Sequence, residues 1–271
     1  MSLAQLLATA PRHPQRIVCL TEETTETLYR LGAGDLVVGI SCYTLRPEEA
    51  RSKPKVSSFL DAKFDDILAL APDLVIGFSD LQADLGKELA KRGVPVWIQN
   101  QRSVAEILQN IRVLGAMVGL ASAAAALADE LEAHLRDVEA AARTLPRRPR
   151  VFFEEWPDPL ISGIRWVSEL VEIAGGDDVC RESRARHDAK GRIFTLDDVA
   201  ARDPEVVIAS WCGKSVRRDE ILARPAWAAV QAVVHGRVHE IKSELILQPG
   251  PAALTDGIDA IAAIVRATAH A

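Results

Sequence analysis

Two stretches of this chain repeat each other, and the repeat limits what it can fold into more than any other feature. DDILALAPDLVI (65–76) aligns without gaps on DDVAARDPEVVI (197–208), and LYRLGAGDLVV (28–38) aligns on LVEIAGGDDVC (170–180). Both pairs follow the same order, and each unit reads as helix, sharp stop, strand. Pro72 and Pro204 end a helix, because proline lacks the N–H donor and restricts the residue before it. Gly34 and Gly176 suit helix C-terminal caps. The chain is expected to form two related lobes.

The rest of the pattern agrees. Short β-branched runs alternate with amphipathic runs, as in an open parallel sheet with helical crossovers. Strands are expected at 16–20, 37–40, 74–78 and 94–98 in the first half. In the second half they are expected at 150–153, 206–211 and 238–241. From Ser122, a good N-cap, to Thr144 the chain is rich in Ala, Leu, Glu and Arg with no Gly or Pro, and Gly119 breaks the helix before it. Such a helix would run roughly 35 Å at about 1.5 Å per residue. The expected fold is α/β, with two Rossmann-like lobes joined by a single long backbone helix. Residues 1–121 would form the first lobe, 122–145 the interlobe helix and 146–271 the second lobe. A helical connection predicts only a small closure on ligand binding.

In such sheets ligands bind beyond the carboxyl ends of the strands. Aromatics are only 5% of the chain, yet Tyr43, Phe59, Phe78, Trp156 and Trp211 all fall at strand exits. Rings so placed can stack on a large planar ligand. Glu155, Ser243 and Glu244 stand beside them as polar contacts, while Trp97 and Trp227 fit the core better.

Catalytic signals are thin. There is no nucleophile elbow, phosphate-binding glycine loop or metalloprotease helix. Glu154 and Glu155 are adjacent on a strand end and point in different directions, so paired-carboxylate chemistry does not follow, and no enzyme activity is expected. His187 sits in a polar loop (SRARHDAKGR), from which it could offer an axial ligand to a metal centre; as a solvated loop histidine it needs no function. His134 is expected on the exposed side of its helix. The cysteines Cys19, Cys42, Cys180 and Cys212 match no metal-ligand spacing. Cys19 reads as a buried hydrophobe, and a Cys180–Cys212 disulfide stays open. No resident cofactor or metal is expected.

The net charge of -6 and the lack of a basic run argue against nucleic acid as a partner. No apolar run reaches about 20 residues, so direct membrane insertion is not expected. The opening MSLAQLLATAPRHPQ lacks a signal peptide's basic and apolar regions. The protein would be periplasmic if such a peptide has been removed, and cytoplasmic otherwise.

RIVCLTEETTETLYRLGAGDLVVGIS (16–41), CYTLRPEEA, DDILALAPDLVIGF, RVFFEEW, LISGIRWVSELVEIAGGDDV and DPEVVIASW together resemble the cobalamin- and iron-siderophore-binding proteins of ABC importers, with the cobalamin binders nearest. The resemblance spans essentially the whole chain. It implies two α/β lobes, a macrocyclic ligand (cobalamin or another corrinoid) held in the cleft between them, delivery to an ABC permease, and a monomer. By position, Tyr43, Phe59 and Phe78 match places where cobalamin binders present an aromatic to the corrin, Phe59 and Phe78 standing where relatives often carry Trp. Trp156 and Trp211 would face them. The resemblance also implies one permease-docking acid per lobe, at Asp65 and Asp197, where the family usually has Glu. Against that role, Thr195 and Asp198 read as a capping box, and first-turn acids complement the helix dipole.

Three alternatives stay open. The same fold could hold haem, with an axial donor such as Tyr43 or His187, or a ferric siderophore, for which Arg165, Lys214 and Arg217 are the candidate cations. A metal-dependent enzyme or scaffold on a two-lobe frame would need clustered cysteines, which are absent. A cytoplasmic module that senses corrinoid without transport is the third.

Overall fold

The computed structural model describes residues 12–271 together with Leu3. By their contacts the described residues form two compact units: those up to 101 with 108–130, and 102–107 with 131–271.

The first unit is a five-stranded parallel sheet of order β3-β2-β1-β4-β5, with β1 Ile17–Cys19, β2 Val37–Ser41, β3 Lys55–Ser57, β4 Leu74–Phe78 and β5 Val96–Gln99. Successive side chains on a strand point to opposite faces, and the core divides accordingly. Ile17, Cys19, Leu74 and Ile76 pack on one face with Leu28 and Leu114. Val18, Leu20 and Val75 pack on the other with Ile67 and Leu89. Those four leucine and isoleucine partners come from helices α1 (Glu22–Arg30), α2 (Phe64–Ala69), α3 (Ala83–Lys91) and α4 (Val104–Met117). Burial on both faces is why these strands read as unbroken apolar runs.

Gly119, at φ +78°, separates α4 from α5 (Ala121–Ala142), the long helix expected from composition. It starts at Ala121, so Ser122 lies in its first turn rather than at its cap. The boundary between the units falls within α5, after Glu130.

The second unit repeats the plan. Its sheet runs β10-β9-β6-β7, with β6 Arg150–Pro157, β7 Leu160–Ser162, β9 Val206–Ala209 and β10 Val238–Glu240. Strand β7 is antiparallel to β6, and the two-residue β8 (Asp177–Asp178) pairs with the start of β6. Both were absent from the sequence reading, since strands this short carry no periodicity. Helices α6 (Arg165–Ile173), α7 (Leu196–Ala201) and α8 (Ile258–Ala269) belong to this unit. Its core centres on Phe152, Val207, Ala209, Trp211 and Trp227, with Trp227 edge-on to Phe152 at 5.8 Å.

The sequence repeat is also a hydrogen-bond repeat. Helix α2 leads through Ala71 (φ 45°) to Pro72, and α7 leads through Asp203 (φ 44°) to Pro204. The acid after each proline then binds the backbone entering the unit's first strand. Asp73 accepts the Arg16 N–H at 2.9 Å, and Glu205 accepts the Arg150 N–H at 3.0 Å. The arginine at each of those positions reaches back to the helix end, Arg16 to the Leu70 carbonyl and Arg150 to the Asp203 carbonyl. The capping glycines differ from expectation. The left-handed residues are Gly32 (φ 76°) and Gly175 (φ 90°), directly after the helix C-caps. Gly34 and Gly176 are required for space instead. A Cβ on Gly34 would lie 2.7 Å from the Tyr29 ring, and one on Gly176 would lie 2.8 Å from Val151.

Candidate ligand-binding site

The carboxyl ends of the first unit's strands carry an apolar rim over a polar floor. After β2, Tyr43 and Leu45 are each 46% exposed; after β3, Leu60 is 62% exposed; after β4, Leu81 is 57% exposed. Phe59 is half-buried in the turn closed by the Ser58 N–H on the Asp61 carbonyl. Phe78 is buried, so it supports the rim from beneath rather than standing on it.

One buried side chain, which the sequence reading missed, ties these loops together. Gln82 accepts the Phe78 N–H at 2.9 Å and donates to the Phe59 carbonyl at 2.9 Å and the Leu20 carbonyl at 3.4 Å. It thereby joins the exits of β1, β3 and β4. Ser79, held at φ 66°, caps the following turn by accepting the Leu81 N–H. Beneath the rim lie Glu23, Thr44, Ser57 and Gln99, all buried, each with a polar atom that has no hydrogen-bond partner.

In the second unit the strand exits are filled by ion pairs. Adjacent residues on β6 point to opposite faces, and each glutamate there meets its own arginine. Glu154 is fully buried and takes both Arg224 nitrogens at 2.5 and 2.9 Å, and the Trp211 indole N–H at 3.2 Å. The Arg224 guanidinium also lies over the Trp227 ring at 4.4 Å. Glu155 takes Arg192, itself 3% exposed, at 2.7 and 2.9 Å, and accepts the Ile164 N–H at 2.9 Å. Glu155, expected as a ligand contact, therefore already has its oxygens occupied inside the unit. Trp211 is 2% exposed and part of the core, so its ring offers no open face. Trp156 remains half-buried, with its indole N–H on the Asp158 carbonyl and Lys214 over its ring at 4.4 Å.

Ser243 and Glu244 start the short helix Ser243–Ile246 and are half-buried. His187 is exposed in its loop. His134 pairs with Asp259 of α8 at 2.9 Å, which the exposed placement read from the sequence did not include. Cys180 is buried and Cys212 exposed, both as free thiols. Burial pushes the Cys19 thiol up to about 12, keeping it protonated and inert. Among the described residues no group of His, Cys, Asp or Glu is arranged to hold a metal ion. Of the candidate siderophore cations, Arg165 pairs with Glu169 at 2.8 Å and Arg217 with Glu220 at 2.7 Å.

On the exposed side of α7, Thr195 and Asp198 form the expected capping box. Asp198 is thus committed to the cap, while the adjacent Asp197 is exposed and makes no ion pair or hydrogen bond among the described residues. The repeat holds here as well. Asp66 pairs with Lys63 at 3.8 Å, and Asp65 is exposed and has no ion-pair partner among the described residues.

The sequence matches the family model for periplasmic binding proteins over residues 17–245. The chain belongs to that family. Among curated relatives, this periplasmic binding protein is 27% identical over 261 residues to YvrC of Bacillus subtilis (strain 168), an uncharacterized ABC transporter substrate-binding lipoprotein. That match covers 94% of this chain and 81% of the relative. It is 28% identical to the vitamin B12-binding protein of Yersinia pestis (strain Pestoides F), over 77% of this chain and 74% of the relative. Two solved structures share the fold. The periplasmic vitamin B12 binding protein BtuF of Vibrio cholerae superposes with a TM-score of 0.74, covering 94% of this chain and 98% of that one at 22% identity. A periplasmic heme binding protein from Pseudomonas aeruginosa superposes with a TM-score of 0.80, covering 94% and 93% at 23% identity. These place the periplasmic binding protein in the α/β architecture expected from its repeat. No described helix is long and apolar enough to cross a membrane.

Proposed function

We propose that this chain is the substrate-binding protein of an ABC importer and that its ligand is cobalamin or a related corrinoid. The observation that carries the reading is the rim itself. Tyr43, Leu45, Leu60 and Leu81, large apolar side chains that would ordinarily be buried, stand exposed together at the strand exits where ligands of open α/β sheets bind. A broad ligand with an apolar face would cover them. The half-buried Phe59 and Trp156 add aromatic area, and Ser243 and Glu244 add polar contacts. Phe78 and Trp211 act from below, by holding the exits in shape. The vitamin B12-binding relatives favour a corrinoid over the other macrocycles this family takes up. Arg165 and Arg217 are paired within the chain, which leaves Lys214, over the Trp156 ring, as the one candidate of the three without a carboxylate among the described residues, fewer cations than an anionic siderophore would call for.

The partner is a permease, met through Asp65 and Asp197. Two unpaired, exposed carboxylates at equivalent places in the repeat suit a pseudosymmetric partner that offers one cation to each. Work of this kind sits outside the cytoplasmic membrane, in the periplasm or on a lipid anchor.

Incubation with cobalamin followed by desalting tests the reading. Corrinoid absorbance should coelute with the protein, and Tyr43→Ala or Trp156→Ala should each weaken binding roughly tenfold. A Soret shift with haem that Tyr43→Phe or His187→Ala removes would assign the site to haem instead. No retention of cobalamin, cobinamide or haem would end the macrocycle reading.

A further inference from the structure

The order β3-β2-β1-β4-β5 changes direction between β1 and β4, and ligands of such sheets bind at that switch point. Helix α1, which follows β1, carries Glu23 there in its first turn. Its carboxylate is 2% exposed; Oε1 accepts the Thr21 hydroxyl at 2.6 Å, and Oε2 has no partner. Glu154 and Glu155 at the exit of β6 are each paired with an arginine, and the nearby Glu26 has Arg46 at 3.5 Å. Among the described residues no cation pairs with Glu23. A buried carboxylate oxygen facing nothing is costly, and folded proteins keep such groups where something else completes them.

Its surroundings narrow down what that is. Thr24, the next residue, donates to Gln99 Oε1 at 3.3 Å, and Gln101 Nε2 approaches the same oxygen at 3.4 Å. Gln99 Nε2 is left as a buried donor without an acceptor. Glu23 and Gln99 thus each keep one unpartnered polar atom at the exits of β1 and β5, an acceptor on the first and a donor on the second. Thr44 Oγ1 and Ser57 Oγ, also unpartnered, extend the polar floor under the exits of β2 and β3.

We infer that Glu23 is a specificity-determining residue: its free oxygen accepts an N–H from an amide on the ligand's rim, and so selects amide-bearing macrocycles over carboxylate-bearing ones. The inference rests on the macrocycle reading above. A ligand carboxylate has no proton to donate and would be repelled by Glu23, whereas an amide N–H donates to it. The groups facing Glu23 are the Thr21 hydroxyl, its own backbone N–H and Glu26 on its own segment, and Cys19 on β1. Arg46 lies beyond Glu26. Burial is the largest influence and raises the carboxyl to about 7, with Glu26 adding to it and the Thr21 hydroxyl and Glu23's own backbone N–H opposing. Ligand binding to the ionised form therefore strengthens as pH rises through 7.

Calorimetric titration with cobinamide, whose rim carries amides, and cobyrinic acid, whose rim carries carboxylates, tests this at pH 6 and pH 8. The wild-type protein should prefer cobinamide, and roughly 10- to 100-fold of that preference at pH 8 should depend on Glu23. Glu23→Gln, of the same shape, should lose that share of the preference, bind cobyrinic acid better than wild type, and show a flat profile between the two pH values. Thr21→Val should move the wild-type profile to higher pH, because it removes the donor that holds the carboxyl down; it serves if Glu23→Gln does not fold. A Glu23→Gln protein with wild-type preference and pH profile, or an unshifted Thr21→Val profile, overturns the inference and leaves the macrocycle reading standing. Failure of wild type to bind either corrinoid overturns both.

Discussion

Removing Arg224 should be among the most damaging single changes in the second unit. Arg224→Met keeps an unbranched stem against Trp227 but takes both nitrogens from Glu154, which is fully buried and retains only the Trp211 N–H. Breaking a buried pair by deleting one partner costs about 3–5 kcal/mol, because the remaining charge is left uncompensated. In a unit of this size that lowers Tm by roughly 6–20 °C. Glu154→Leu combined with Arg224→Met should recover most of the loss, since two apolar groups of similar volume need no pairing. Urea unfolding followed by tryptophan fluorescence suits the measurement. Trp156, Trp166, Trp211 and Trp227 all lie in the second unit, against Trp97 alone in the first. A cost below about 1 kcal/mol for Arg224→Met, or a double variant no better than the single, would refute the argument. It would also reopen the assignment of Trp211 to the scaffold, since the same pair anchors its indole.

Other outcomes follow from the same structure. Glu23 has its carboxyl raised from 4.5 to about 7, so the unfolded chain ionises first and the unliganded protein loses stability as pH rises across that window. The gap corresponds to roughly 3 kcal/mol at most, so Glu23→Gln should raise Tm at pH 8 and have little effect near pH 4.5, read by thermal melts across pH. Charge reversal at Asp65 and Asp197 should leave corrinoid affinity unchanged and abolish uptake in a transport assay; retained uptake would remove the docking role. Gln82→Ala strands the Phe78 N–H and the Phe59 and Leu20 carbonyls together, and should cost about 2 kcal/mol or more while loosening the rim, seen as lost amide protection in those loops.

Much of the fold was legible because it is written locally. The αL-Pro-acid turn recurs at 71–73 and 203–205, and alternating core faces leave apolar runs at every central strand. The capping box at Thr195 was legible for the same reason, since its members lie three residues apart. The glycine caps were misassigned by one or two positions. Glycine serves both a left-handed backbone, as at Gly32, and a close approach, as at Gly34, and composition does not separate the two.

The sequence by itself determined an α/β protein with repeated halves, a long helix near the middle and aromatics gathered at strand exits. Which of those aromatics stand clear was decided by tertiary packing: Tyr43 is open and Trp211 is enclosed. So was the state of each glutamate. Arg192 reaches Glu155 from 37 residues away and Arg224 reaches Glu154 from 70, while no cation among the described residues arrives at Glu23. A strand pattern dictates the direction of a side chain from its neighbours in sequence. Its partner comes from a distant segment, and only the folded chain brings that segment to it or leaves the place open.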